Sequence, residues 1–574
     1  MRKGNARFGK RDMGYVQTLN SLVLGLFSNG EPGFWLDPSD LSTMYQDSAG
    51  TTPVTAVEQP VGLILDKSKG LVLGAELITA AADRNFTSDT GFWTKGAGTT
   101  IGSGLCTFTA VVNGAGLTRA GFLTVGAVYQ VTYTLVSLTS GSVGTYVGGS
   151  RTTSRTVPGT YTEIVCATGD AYIGFNGASA NTTATITNIS VKQIAGTHYY
   201  QSTAGVRPVL SARVNLLTKT EALDSAPWSA ANAAVSGTKQ LAPDGTLTAQ
   251  LLVESSSNSA HSISQASIST PSLGAQAHVI YVKSSGRRWL AVQLSGGTPT
   301  AYAYFDLQSG VVGTTSGTPN ASIVASTNGF WKITIAPSAT ALTTNTLAYY
   351  MASADNTASY QGDGTSGVIF WHPDLRPSDQ ATGLIPTYQR VNTSTDYDTA
   401  GFPLYLSGNG TQWMQCAAQD YTGVNKIMIC GGIRKTVNAV TYIFEFSTDY
   451  SSSAGAFAIA QTADWYFGSR GATTYQFVTQ ATGLPQTAVL TGTSDLTAPL
   501  VSLRRNGSSV GTTSGSQGGG NFGNYPAYLF SRAGTSLFFT GNLFGLVARG
   551  SAAASSAAQI SATEAYMNGK AKCY

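Results

Sequence analysis

At 574 residues the chain exceeds what one hydrophobic core organises, and about 150 residues per domain suggests three or four units. Only 11% of residues are charged, against about 25% in ordinary globular domains, so Ser, Thr, Asn, Gln and Gly must cover the surface. With 42% hydrophobic residues a disordered chain is excluded, a net charge of +4 is too small to imply nucleic-acid binding, and no apolar run approaches the ~18 residues of a membrane span.

Residues 1–30 begin with Arg2, Lys3, Arg7, Lys10 and Arg11, a basic cluster that is either a solvated tail or an arm for docking on an acidic surface. Val16, Leu19, Val23, Leu26 and Phe27 follow at helical intervals after Asp12, a candidate N-cap. A helix this short is marginal in water, so it needs a surface to pack on, from its own chain or a neighbouring subunit. We therefore read 1–30 as a basic, partly helical anchor. The stretch Leu22 to Phe27 runs into Ser28-Asn29-Gly30 without a cleavage-type site, so it is not read as a signal peptide.

Residues 31–75 hold Trp35-Leu36-Asp37-Pro38-Ser39-Asp40, Gln46-Asp47-Ser48-Ala49-Gly50 and Leu65-Asp66-Lys67-Ser68, which spell extended chain with Asx and Pro turns. Such a leader is expected to clamp onto another surface. Residues 76–195 alternate as strands do, for example Tyr129-Gln130-Val131-Thr132-Tyr133, and predict a first β-sandwich module. Trp93 and Trp228 each follow a similar opening about 135 residues apart, as a duplicated module would leave. Residues 209–392 carry Asn215-Leu216-Leu217, Ala226-Pro227-Trp228, Tyr281-Val282-Lys283, Arg288-Trp289-Leu290, Gly329-Phe330-Trp331, Phe370-Trp371 and Leu384-Ile385-Pro386-Thr387. Residues 400–574 carry Leu404-Tyr405-Leu406, Gly432-Ile433-Arg434-Lys435, Leu503-Arg504-Arg505-Asn506-Gly507 and Phe539-Thr540-Gly541-Asn542, then a helical stretch from about Ala557 to Lys572. The expected fold class is all-β: tandem jelly-roll sandwiches with a short helical or extended N-terminal anchor and a C-terminal helix.

The ordered series in 209–392 resembles the carbohydrate-binding-like jelly roll of tailed-bacteriophage surface proteins, and residues 31–75 resemble a leader of phage virion proteins. Residues 400–574 resemble concanavalin A/laminin-G-like domains. The resemblance implies a head- or tail-fibre-like virion appendage. Its N-terminus would be held by capsid, portal or tail proteins, and its sandwiches would meet a bacterial surface glycan. The virion would be its location, after assembly in the host cytoplasm. It also implies a homo-oligomer, a trimer by analogy with the class. The leader resembles the opening of concanavalin A-like domains too, so residues 31–70 could complete the C-terminal domain, with the two middle modules inserted. Trp371-His372-Pro373-Asp374-Leu375-Arg376 departs from the family's polar pattern, which puts shared ligand contacts there in doubt.

Catalytic and metal signatures are lacking. Four histidines are scattered, and Asp37, Asp40, Asp47 and Asp66 match no Ca²⁺ loop and read as turn caps. Cys106, Cys166, Cys416, Cys430 and Cys573 are odd in number and read as reduced. Glu445-Phe446-Ser447-Thr448-Asp449 lacks the carboxylate spacing of the concanavalin A-like glucanases, and Glu445 is expected to face solvent. The chain is read as non-enzymatic, with no cofactor and no metal. Sugars stack their C–H faces on exposed aromatics and need polar neighbours for their hydroxyls. Trp228, Trp289, Trp331 and Trp371 are assigned to cores and Trp35 to burial against a neighbour. The glycan-binding candidates are then Trp465, Tyr466, Trp413, Tyr421, Tyr475, Asn521 and Tyr525, and the anchor candidates Arg2, Lys3, Arg7, Lys10, Arg11, Val16, Leu19, Val23 and Phe27. The alternative is a capsid or tail decoration protein with no receptor role.

Overall fold

A computed structural model describes residues 19–269, 276–296, 300–317, 320–336, 344–381, 383–461, 464–483, 486–498 and 500–574. Antiparallel sheets pack in pairs to make three sandwiches, so the chain is all-β. In the first, the sheet built on strands Val128–Ser140, Gly159–Cys166 and Thr182–Ile194 faces one built on Gly116–Arg119, Val143–Val147 and Ile173–Gly177. Alternation explains this. Val131, Tyr133 and Leu135 point into a core with Trp93, Phe108 and Phe175, while Thr132 and Thr134 face out to pair with Thr162 and Thr160. In the second sandwich, strands Asn258–Ser269, Trp289–Ser295 and Thr344–Ala352 oppose Leu247–Glu254, Gln276–Ser285 and Gly367–Pro377. Trp228 is buried in its core, whereas Trp289, Trp331 and Trp371 are only half-buried at its margins. Trp93 and Trp228 play equivalent parts. Each indole N–H donates to a carbonyl of the preceding turn, Asp83 at 2.9 Å and Thr218 at 3.0 Å.

The third sandwich is discontinuous in sequence. Its first sheet is centred on Thr540–Ser551, which pairs along one flank with Gly33–Leu36 and Tyr405–Asn409 and along the other with Lys426–Lys435; Val209–Ser211 extends it beyond Tyr405–Asn409. Its second sheet runs in the order Met44–Tyr45, Leu63–Ile64, Tyr199–Tyr200, Met414–Gln415, Ala527–Leu529, Thr441–Phe446, Phe457–Gln461, Asp464–Arg470 and Tyr475–Ala481. The core between them therefore mixes Phe34, Leu36, Met44, Val54, Val61, Ile64, Tyr199 and Leu210 with Phe444, Phe457, Trp465 and Leu546. Strand Val209–Ser211 belongs to this sandwich, so the second module begins after it.

Residues 19–25 are helical, and Leu19, Val23, Leu26 and Phe27 bury against Met428, Val489, Val547, Tyr566 and Met567 of the same chain. The helix Ala557–Ala571 covers the same outer face and opens with a capping box between Ser556 and Gln559. Trp35 is buried here within its own chain, not against a neighbour, with its indole N–H on the Tyr566 hydroxyl at 3.1 Å. Arg2, Lys3, Arg7, Lys10, Arg11 and Val16 lie outside the described residues. All five cysteines are free.

Candidate functional site

The outer face of the second sheet of the C-terminal sandwich is where aromatic side chains are left uncovered. Strand Tyr475–Ala481 is its edge, and its burial alternates: Val478 is buried, whereas Tyr475 and Phe477 are each 45% exposed. Register carries that face across the sheet. Tyr442, Ala460, Tyr466 and Thr479 form one row, Ala458, Gly468 and Phe477 the next, and Arg470 and Tyr475 the last. Tyr450, from the turn after Thr441–Phe446, packs on this face, with its ring 5.9 Å from Tyr442 and 6.4 Å from Tyr475.

The result is a cleft of about 420 Å³ lined by Ala460, Thr479 and the aromatic rings of Tyr442, Tyr450, Tyr466, Tyr475 and Phe477. Tyr466, Phe477 and Tyr475 are near-parallel, with successive centroids 5.3 and 5.7 Å apart and interplanar angles of 26° and 21°. The glycine beneath the Tyr450–Tyr466 wall has a steric reason. A Cβ on Gly468 would lie 2.4 Å from the hydroxyls of both Tyr450 and Tyr466, which share a 2.9 Å hydrogen bond. Burial, with the neighbouring phenols, pushes the Tyr450 hydroxyl well above its ordinary range, so both phenols stay neutral donors and acceptors at any physiological pH. On the rim, Arg532 lies 6.0 Å from the Tyr442 ring centre and bonds Asp449 at 3.0 Å and Ser451 at 2.6 Å. Hydrocarbon ring faces flanked by hydroxyls can stack a sugar ring and bond its edge.

Two sequence candidates, Tyr466 and Tyr475, come together here. The others do not. Trp465 is 0% exposed: on the same strand it points the opposite way from Tyr466, into the core, with its indole N–H on Gln486. Tyr421 is equally buried, packed on Phe446 and Phe457, and donates to Gln419 at 2.9 Å. Neither offers a face to a ligand. Trp413 is half-buried beside Tyr528 and Gly534, and Asn521 and Tyr525 are held by the carbonyls of Thr422 and Ala454. Sequence reasoning missed Tyr442, Tyr450 and Phe477. The Tyr475-x-Phe477 spacing signals one aromatic face of a strand, but only if that face is known to look outward.

Glu445 is buried rather than solvent-facing. Burial raises its carboxyl above the usual range, although the Ser447 hydroxyl and the Ala533 N–H bond it at 2.7 and 2.6 Å. Among the described residues no group of three or more His, Cys, Asp or Glu could hold a metal ion, and no helix is long and apolar enough to cross a membrane.

No protein-family model matches the sequence, and no curated protein matches it. Among solved structures, a pentraxin from Limulus polyphemus is similar over 29% of this chain and 80% of its own, at 13% identity and a TM-score of 0.22. The CBM40 of a Ruminococcus gnavus sialidase, bound to α2,3-sialyllactose, is similar over 24% of this chain and 83% of its own, at 17% identity and a TM-score of 0.21. Domains LG4–5 of the mouse laminin α1 chain are similar over 51% of this chain and 86% of theirs, at 12% identity and a TM-score of 0.22. At these scores the likenesses carry no functional argument.

Proposed function

We propose that this protein is a non-catalytic attachment protein that binds cell-surface glycan through the aromatic cleft of its C-terminal sandwich. The observation that carries the reading is the stacked Tyr466–Phe477–Tyr475 run lining the cleft, with Phe477 and Tyr475 exposed. Such rings cost free energy in water unless something covers them, and a sandwich of this size has enough interior to have buried them. The motif series in residues 209–392 supports a bacteriophage appendage as the setting, with the protein located on the virion as a homo-oligomer. Leu19, Val23 and Phe27 are spent on packing within the chain, so attachment to other virion proteins falls to Arg2, Lys3, Arg7, Lys10 and Arg11.

The test is binding of the full-length chain to host cells and to arrayed bacterial surface polysaccharides. Binding by the native chain, reduced at least tenfold in Tyr475→Ala and Phe477→Ala with unchanged melting, is expected. Binding that survives both substitutions removes the cleft from the mechanism. Absence of any glycan binding, together with loss of particle stability when the protein is missing, would favour a decoration role instead.

A further inference from the structure

One charge beside the cleft, next to Tyr475, has no carboxylate to answer it. Arg470 follows Tyr466 and Gly468 on the outward side of strand Asp464–Arg470, and its Cα partner across the register is Tyr475. Of five guanidinium N–H donors, the structure gives one nitrogen an acceptor: Nη2 donates to the Thr473 carbonyl at 2.9 Å. Nε is buried without a partner, and among the described residues Arg470 enters no ion pair. The contrast with Arg532 at the other end is direct, since that guanidinium is neutralised by Asp449. Burial closes Nε to a ligand, but Nη1 has no partner and is not enclosed, so the Nη1–Nη2 end of the guanidinium fork is the part that can take a carboxylate in two parallel bonds.

Resting on the glycan-binding reading, we infer that the cleft selects an acidic saccharide, with a sugar ring stacked on Tyr475 and Phe477 and its carboxylate held by Arg470. The aromatic run supplies affinity that is indifferent to charge, and Arg470 supplies the discrimination. No strand follows Tyr475–Ala481 in the sheet, and residues 517–519 bond the backbone of 472–474 beyond its end.

The experiment compares the full-length protein on a galacturonate tetramer and on the same tetramer after carboxyl reduction to galactose, at low and at physiological salt. The acidic probe is expected to bind at least tenfold more tightly, with the difference shrinking as salt rises. Arg470→Gln is expected to level the two probes without weakening the neutral one, and Arg470→Lys to restore part of the preference; unchanged melting shows that each variant folds. Equal binding of both probes by the native chain overturns the inference while leaving glycan binding intact. So does a preference that persists in Arg470→Gln. Failure of the native chain to bind either probe overturns it too, and the polysaccharide array then decides the glycan reading separately.

Discussion

Gly468 is where local chemistry most directly shapes the cleft. Two phenol oxygens stand where its side chain would be, so a glycine beneath them lets the Tyr450–Tyr466 pair form one wall of the cleft. Gly468→Ala is expected to break the Tyr450–Tyr466 hydrogen bond, tilt the aromatic wall and reduce glycan binding roughly tenfold, equivalent to about 1.4 kcal/mol. Isothermal titration against a bound polysaccharide checks this, and unaltered affinity would mean that the Tyr450–Tyr466 wall is not part of the site. Trp465, one residue from Tyr466, obeys the opposite rule. With its indole wholly enclosed and Lys435 Nζ 5.2 Å from the ring centre, Trp465→Ala should cost about 3–5 kcal/mol of stability, read as a lowered denaturation midpoint. By sequence both belong among the glycan-binding candidates, and it is strand Asp464–Arg470 that puts them on two faces. Alternation could not say which face was the core, because aromatic residues occupy both.

At the scale of elements, the leader is held by charge as well as by sheet pairing. Burial alone would raise the Asp37 carboxyl, but Lys570 and Lys67 at 3.2 and 3.1 Å, with the Ser39 and Tyr566 hydroxyls, hold it well below the usual carboxylate range. Asp37→Asn leaves two lysines without that partner and should destabilise the docked leader by about 3–5 kcal/mol, the usual cost of breaking a buried pair. Accelerated proteolysis within residues 31–70 is the readout. The middle sandwich carries a buried histidine of fixed tautomer: His278 Nδ1 donates to the Asp374 carbonyl at 3.0 Å, so Nε2 accepts from Tyr349 at 3.1 Å. Burial lowers its pKa from 6.5 to about 3. Between those values the unfolded chain binds the proton and the folded chain does not, so stability falls as pH drops through the window, by up to about 1.4 kcal/mol per unit. Where the leader meets the first module, His198, lowered by burial to about 4, acts in the same sense. Asp66, raised by burial to about 6, acts in the opposite sense, because its folded form takes up a proton first. His278→Gln is therefore expected to flatten the pH dependence of stability between pH 6.5 and 4, measured by denaturant unfolding; an unchanged slope would exclude this role for His278.

For the whole molecule, the decisive feature is that the C-terminal sandwich is not contained in residues 400–574. Phe34, Leu36, Met44, Val54, Val61, Ile64, Tyr199 and Leu210 enter its core from outside that segment. At about 1.5–3 kcal/mol for each buried large apolar side chain, their loss removes on the order of 10–20 kcal/mol, as much as the net stability of a typical domain, about 5–15 kcal/mol. Residues 400–574 alone are expected to lack a cooperative unfolding transition and near-ultraviolet circular dichroism. A chain joining residues 31–70 and 198–211 to 400–574 should regain both. A cooperative transition from 400–574 by itself would refute this account of the core.

What the sequence determined by itself was what local physics encodes: strand alternation, glycine-rich turns, the C-terminal helix and a surface poor in charge. Those follow from residue spacing, which survives without knowledge of neighbours. Trp228 is also read as core and is buried there, whereas Trp289, Trp331 and Trp371, read the same way, are only half-buried. Only the tertiary structure decided that a leader nearly four hundred residues upstream closes the last core, that Trp465 is inside while Phe477 is outside, and that Arg470 stands at the end of an aromatic run. Each of these depends on which strands are neighbours across the sheet, and long-range pairing is set by the combined burial of many side chains rather than by any short segment.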